Sequence, residues 1–371
     1  MDVVPARELI ARVRALPAAR PLIGRVEGRS DVYLVGGAVR DLLLGGAPPD
    51  LDLLVEGDPA DLAHQLGGAL REHGRFGTAT VELDGFAYDI VRARTETYSR
   101  PGALPDVLPA AVSEDLGRRD FTVNAMAIAL GGVHAGELVT VPRALDDLQA
   151  RVLRVLHDGS FLDDPTRLVR LARYTARLGF ASEPHTEKLA REALASGALA
   201  TVSADRLDGA LRLLAREEDP AAAFEVLRGL GAPILADFDP ALARRALQLL
   251  PAEGRHDEVV LRAALAPGAA APLAEALAAA WRPSEIASAV GGASVEDVAL
   301  AGALGPAAQA RDWLERLRHV RLEIDGADLL AAGVPEGPKI GAGMRAALQA
   351  KLDGLIAGRE QELAEALRFS R

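Results

Sequence analysis

The sequence predicts a mixed α/β head followed by a remainder built from helices alone. Three observations carry that prediction. Residues 32–55 read as an apolar strand, a glycine pair, a short helix, a Gly/Pro turn and a second apolar strand. Strand-like and helical segments then alternate to about Leu130, and from Val152 onward alanine-, leucine- and arginine-rich helices take over. The 371 residues suffice for roughly two to four domains with cores of their own.

Ala6 to Leu16 has helical character and leads through a proline-containing linker to the strand at Val32. Gly36 and Gly37 separate that strand from the short helix. Gly37 lets backbone approach a phosphate, and the helix start offers free N–H groups and a positive dipole end. Arg40, in the first helical turn, adds a fixed charge where a triphosphate would sit. The stretch is neither a Walker loop nor a dinucleotide fingerprint, because G-x-x-x-x-G-K and G-x-G-x-x-G are missing from it. The second strand carries Asp50 and Asp52 on one face, while Leu51 and Leu53 point into the core. Two neighbouring carboxylates repel unless a cation lies between them, and a divalent metal is the usual answer.

Asp58 to Arg71 reads as a helix with Asp58 as N-cap and Pro59 at its first position. Phe76 to Leu83 is strand-like, Gly85 turns, and Phe86 to Arg92 forms the next strand. Asp89 shares a face there with Ala87 and Val91, either as a satisfied edge residue or as a functional acid. Thr95 to Val112 is polar and carries Pro101, Pro105 and Pro109, which predicts a loop over the site. A helix begins at Asp163-Asp164-Pro165, where Asp before Pro is a standard cap. Leu168, Leu171, Ala172, Thr175, Ala176 and Leu178 make its buried face; Arg170, Arg173 and Arg177 fall opposite, with Arg167 at the border. Residues 216–310 are alanine-rich helices without evident chemistry, and His256-Asp257 reads as a surface turn. After Ile324 a Gly/Pro turn leads to a long amphipathic helix running to Gly358 and beyond.

The net charge of −11 means that any nucleic-acid partner must use local basic surface. Residues 151–180 supply one, with six arginines against three acids. No apolar run reaches the roughly 18 residues of a membrane helix, and no signal-peptide pattern opens the chain. The absence of cysteine excludes disulfides and thiolate metal sites and fits a cytoplasmic protein.

Gly36-Gly37-Ala38-Val39-Arg40-Asp41 followed by Asp50-Leu51-Asp52 resembles the class II branch of the polymerase-β-like nucleotidyltransferases. That branch holds the tRNA CCA-adding enzymes, their CC-adding and A-adding relatives, and bacterial poly(A) polymerases. Arg118 to Ala125 matches its motif Arg-Arg-Asp-Phe-Thr-x-Asn-Ala. Asp164, Pro165, Arg167, Arg170 and Arg173 match Asp-Pro-x-Arg-x-x-Arg-x-x-Arg. Ser203-Ala204-Asp205-Arg206 resembles Ser-x-Glu-Arg with Asp205 in place of Glu, and Gly337-Pro338-Lys339-Ile340-Gly341 resembles the family's tail motif.

The resemblance implies a nucleotidyltransferase head at 1–150, a helical neck at 151–215, a body at 216–310 and a tRNA-binding tail at 311–371. It implies that Asp50, Asp52 and Asp89 hold two Mg²⁺ ions, and that Gly37, Arg40 and Arg119 grip the triphosphate. Asp120 and Asn124 would shape the ribose side of the pocket or brace the site. Asp164 and Arg167 would read the base, braced by Arg170 and Arg173. Cytosine and adenine each set an amino donor beside a ring-nitrogen acceptor, which suits a carboxylate and a guanidinium. Lys339 and Arg345 would contact tRNA phosphates.

The implied reaction transfers CMP and/or AMP from CTP or ATP to the 3′-hydroxyl of tRNA. The alternatives are an A-adding-only or CC-adding-only subtype, a poly(A) polymerase, or a non-catalytic RNA-binding relative. The segment after Asp89 is not short, which leans away from a CC-only enzyme. The acidic pI and the apparent lack of a basic C-terminal extension argue against a poly(A) polymerase, and the intact acids against a non-catalytic relative.

Overall fold

Apolar alternation in the first third of the chain becomes a seven-stranded sheet in the computed structural model, which describes residues 4–73 and 78–370. After helices α1 (Ala6–Ala15) and α2 (Arg20–Val26), the strands β1 (Val32–Val35) and β2 (Leu51–Val55) flank helix α3 (Gly37–Leu43). Helix α4 (Pro59–Leu66) precedes β3 (Ala69–His73), β4 (Thr78–Leu83) and β5 (Phe86–Arg92). Strands β6 (Arg94–Thr97) and β7 (Asp106–Pro109) pair off as a separate antiparallel ribbon. Helix α5 (Val112–Gly117) then leads back to β8 (Met126–Ala129) and β9 (Leu138–Thr140), giving the sheet order β3-β4-β5-β2-β1-β8-β9. Only β2 and β5 run parallel; the other neighbours in the sheet are antiparallel.

Both faces of the sheet are covered. Leu51, Leu53, Tyr88 and Ile90 are buried on one, where the Tyr88 hydroxyl donates to the Ala18 carbonyl at 2.6 Å. On the other, Val35, Leu54 and Ala127 pack against Val112 and Leu116 of α5. Asp52 lies two residues from Leu54, so α5 is anchored on the face that carries the acid.

The unit Met1–Ala210 continues with α6 (Ala144–Ala150), β10 (Val152–Leu153), α7 (Ser160–Asp163) and α8 (Thr166–Leu178). Then come β11 (Ala181–Ser182), α9 (Pro184–Ala195) and α10 (Ala204–Ala215), the last spanning the unit boundary. The unit Leu211–Arg371 is helical: α11 (Pro220–Gly229), α12 (Pro240–Leu249), α13 (His256–Leu265), α14 (Ala271–Ala279) and α15 (Pro283–Val290) come first. Next are α16 (Val295–Ala303), α17 (Ala307–Glu315), α18 (Gly326–Ala331), α19 (Pro338–Leu352) and α20 (Arg359–Phe369). Near its end the buried Glu362 carboxylate accepts from the Glu323 and Ile324 amides and pairs with Lys351, tying α19 and α20 to the segment that leads into α18. No single helix among the described residues is long and apolar enough to cross a membrane.

Several elements differ from their expected bounds. Helix α4 stops at Leu66 rather than Arg71, because Gly67 turns left-handed (φ 68°) and the chain enters edge strand β3. The expected start of the next strand, Phe76 and Gly77, lies outside the described residues. The segment expected as a loop contains the β6–β7 ribbon, in which Thr95 faces Leu108 and Thr97 faces Asp106. Threonine, valine and leucine favour that pairing, and Pro109 sits at its end, where a missing N–H costs little. Strands persist past Val152 as the short parallel pair β10–β11. The buried face of α8 is centred nearer its start, with Arg167, Leu168, Val169, Leu171 and Ala172 buried and Thr175 half-buried. His256 opens α13 instead of a turn, and the long tail helix breaks into α19 and α20 at residues 353–358.

Leu54 is fully buried between the acid-bearing face and α5. Leu54→Ala should destabilise the head by about 2–5 kcal/mol, read as a lower urea midpoint with unchanged slope.

Candidate active site

The parallel register sets Asp52 directly opposite Asp89 on the neighbouring strand. Both line a cavity of about 540 Å³ on the α5 side of the sheet. The Thr80 hydroxyl, on the next strand, donates to Asp89 Oδ1 at 2.6 Å and fixes that carboxylate. Burial pushes the Asp52 carboxyl above its ordinary range; Asp89 and Asp50 push the same way, and Arg119 pulls it back.

Of the three acids expected at a shared cation site, Asp52 and Asp89 stand opposite each other and Asp50 stands apart from the cavity lining. Strand β2 begins at Leu51, so Asp50 stands just before the pleat, exposed and outside the cavity lining. Among the described residues no three acid or histidine side chains stand close enough to hold one ion. The donor set nevertheless fits Mg²⁺. It is all oxygen, its charges repel each other, and Mg²⁺ usually takes one or two carboxylates and completes its shell with substrate phosphate and water.

Beside the acids, Gly36 leaves β1 with φ 71°, a conformation that disfavours any side chain. A Cβ there would stand 3.1 Å from Arg119 Nη1. Gly37 also lines the cavity, but the stricter demand falls on Gly36. Arg119 lines the cavity too, its Nε and Nη2 donating to Asp115 at 3.1 and 3.0 Å.

Arg40 differs from its expected place. Its guanidinium is buried and does not line the cavity. Nη1 donates to Asn124 Oδ1 at 2.6 Å, Nε donates to Asp41 at 2.8 Å, and the group lies 5.5 Å from the Tyr174 ring centre. Arg40 therefore holds Asn124 from beneath. Asn124 in turn donates to Asp120 Oδ1 at 3.1 Å, and Asp120 Oδ2 accepts from Arg170 at 2.7 Å. Burial alone would raise the Asp120 carboxyl, but the Arg170 charge and bonds from Asn124, Arg170 and the Phe121 amide hold it below the ordinary range. Asp120 in return raises Arg170.

Asp164, Arg167 and Arg170 all line the cavity. Asp164 Oδ1 accepts from the Thr166 amide and hydroxyl, but the N-cap of α8 is Pro165, so the expected Asp cap lies one residue further from the helix. Arg167 is anchored through the Ser160 hydroxyl at 2.7 Å and the Arg118 carbonyl at 2.6 Å. Arg173 is not part of the lining; its guanidinium lies 5.8 Å from the Tyr174 ring centre. Lys339 and Arg345 are exposed on α19, in the other unit. Six residues apart, they lie about 120° from each other around the helix and share no single face.

Six polar lining residues are not among those that sequence reasoning assigns to the site: Arg94, Glu96, Tyr98, Arg118, Tyr174 and Arg206. Glu96 and Tyr98 fall in the segment read as a loop, and Arg118 in the paired arginines, whose second member drew the assignment. Arg206 was visible in its motif, yet only the fold shows it donating to both Asp164 Oδ1 (2.9 Å) and the Gly102 carbonyl (2.7 Å).

With this geometry established, residues 32–154 match the family described as the poly(A) polymerase head domain. The CC-adding tRNA nucleotidyltransferase of Deinococcus radiodurans is 37% identical over 342 residues, covering 90% of this chain and 88% of that protein. The A-adding tRNA nucleotidyltransferase of Halalkalibacterium halodurans is 43% identical over 209 residues, 54% of this chain and 49% of that protein. The matches to three A-adding relatives span only 26%, 49% and 23% of their lengths. Among solved structures, the Thermotoga maritima CCA-adding enzyme complexed with tRNA matches with a TM-score of 0.77 at 27% identity, over 99% of each chain.

The raised Asp52 carboxyl has a thermodynamic signature. Its ionisation weakens the fold, so its stabilising contribution is complete at low pH and is lost as pH rises through the raised value. Asp52→Asn should therefore melt higher than the parent at pH 7 without divalent cation, and the gap should close toward pH 3. A variant that melts lower at pH 7 would contradict the raised carboxyl and the burial that causes it.

Proposed function

We propose that this chain, which belongs to the class II tRNA nucleotidyltransferase and poly(A) polymerase family, transfers CMP and/or AMP from CTP or ATP to the 3′-hydroxyl of tRNA. Pyrophosphate leaves. The observation that carries this reading is the Asp52–Asp89 pair facing one cavity with Gly36, Gly37 and Arg119. Mg²⁺ at that pair, two ions in the full complex with Asp50 flanking them, would neutralise phosphate charge and polarise the attacking and leaving oxygens.

The chain's own groups do the rest. Asp89, fixed by Thr80, is placed to orient the 3′-hydroxyl and accept its proton. Arg119 meets the triphosphate over the glycine turn, and Arg40 acts indirectly by supporting Asn124. Asp120 and Asn124 form the wall beside the sugar. Asp164 accepts Thr166 and Arg206 on Oδ1, and Oδ2 is the atom that would take the amino hydrogen of cytosine or adenine. Arg167, anchored through Ser160, serves the ring nitrogen; Arg170 braces Asp120, and Arg173 stacks near Tyr174. We assign head, neck, body and tail to 1–150, 151–215, 216–310 and 311–371. Lys339 and Arg345 are assigned to tRNA phosphates on separate faces of α19. We place the reaction in the cytoplasm, which the cysteine-free sequence fits.

The decisive experiment supplies tRNAs ending before, within and after CC with CTP, ATP or both, and follows extension on sequencing gels. Extension is expected, and its pattern assigns the subtype. Asp52→Ala and Asp89→Ala should each reduce incorporation at least roughly a hundredfold while tRNA retention persists; unchanged incorporation would overturn the assignment.

Asp164→Ala tests base choice separately. Preference over UTP and GTP should narrow by about 10–100-fold, and a variant as selective as the parent would remove Asp164 from that role.

A further inference from the structure

Asp115 is a completely buried carboxylate that no step above employs. It lies three residues before Arg118 and four before Arg119, so all three side chains gather on one side of the α5 end. Oδ1 accepts from Arg118 Nε at 3.0 Å and Nη2 at 2.6 Å, and from the Arg94 amide at 3.3 Å. Oδ2 accepts from Arg119 Nε at 3.1 Å and Nη2 at 3.0 Å. Glu96 grips Arg118 from the other side at 2.7 Å. Arg119 thus spends one edge of its guanidinium on Asp115, while Nη1 lies against the Gly36 turn.

A buried charge is costly to unpair, so this acid and its arginines are locked together. An arginine free at a cavity wall would sample many rotamers, whereas a two-point hold on a rigid acid leaves the remaining N–H groups one direction. We propose that Asp115 is a positioning residue for the incoming triphosphate: it sets the Arg119 fork so that Nη1 meets phosphate oxygens above Gly36. This rests on the nucleotide-site reading given above.

The sign of the effect separates positioning from simple charge. A negative group beside an anion site opposes anion binding by Coulomb's law, so removing it should tighten triphosphate binding if charge were all that mattered. Loss of positioning weakens it instead.

The test measures KM and kcat for CTP and ATP, and inhibition by inorganic tripolyphosphate, on the full chain with tRNA. Asp115→Asn should raise KM and the tripolyphosphate inhibition constant about tenfold, with a smaller change in kcat. Arg119→Ala should do the same, and the double variant should be no worse than Arg119→Ala alone. Arg119→Lys should resemble Arg119→Ala, because an ammonium keeps the charge but cannot hold two bonds to Asp115 while directing a third. That variant leaves the buried acid intact, so it decides the matter even if Asp115→Asn folds poorly. Tighter or unchanged triphosphate binding in Asp115→Asn, additive losses in the double variant, or parental KM in Arg119→Lys would each overturn the proposal. If Arg119→Ala itself leaves triphosphate binding unchanged, the nucleotide-site reading fails with it; if only Asp115→Asn is silent, positioning alone fails.

Discussion

Two carboxylates held opposite each other on adjacent parallel strands impose the conditions that their surroundings must meet. Asp52 and Asp89 face each other because β2 and β5 can pair in only one register. Leu51, Leu53, Tyr88 and Ile90 are all buried on the far face of those strands. A slip of one residue in either strand would turn that strand's apolar groups outward and drive its acid into the core. The hydrophobic free energy of the sheet therefore enforces a confrontation of like charges that electrostatics alone would disperse.

The opposite wall follows the complementary rule. The chain carries a net charge of −11, yet Arg94, Arg118, Arg119, Arg167, Arg170 and Arg206 all border one cavity. These arginines are held individually. Asp115 and Glu96 secure the first group, Asp120 holds Arg170, Ser160 holds Arg167, and Asp164 binds Arg206. Pairing makes it tolerable to gather so many guanidinium groups and fixes their directions. An acidic protein can therefore gather six arginines around one cavity.

Legibility in the sequence followed the range of the interactions. The two-residue period of a strand showed that Asp52 and Asp89 each oppose apolar neighbours, and the helical period located α8. Which strands would pair was not written locally, and neither was the partnership of Arg206 with Asp164, 42 residues away. Arg40 was misplaced because an arginine in a first helical turn reaches inward as easily as outward; Asn124 and Tyr174, far along the chain, decided it. Other differences lay in weighing local signals. Gly67-Gly68 ends α4 and glycines 354 and 358 flank the break before α20, while the β-prone residues around Thr95 and Val107 outweigh the prolines between them. At Asp50 the local pattern fixes less, because strand β2 starts one residue later and the pleat does not set its face.

The turn at Gly36 also bears on how the gene can drift. Each base change at the first or second position of a glycine codon that still encodes an amino acid introduces a Cβ, and here that carbon would meet a left-handed backbone and Arg119 Nη1 together. Third-position changes are silent. Missense substitution at this codon thus has no mild first step, and neutral exploration by point mutation is confined to synonymous exchange.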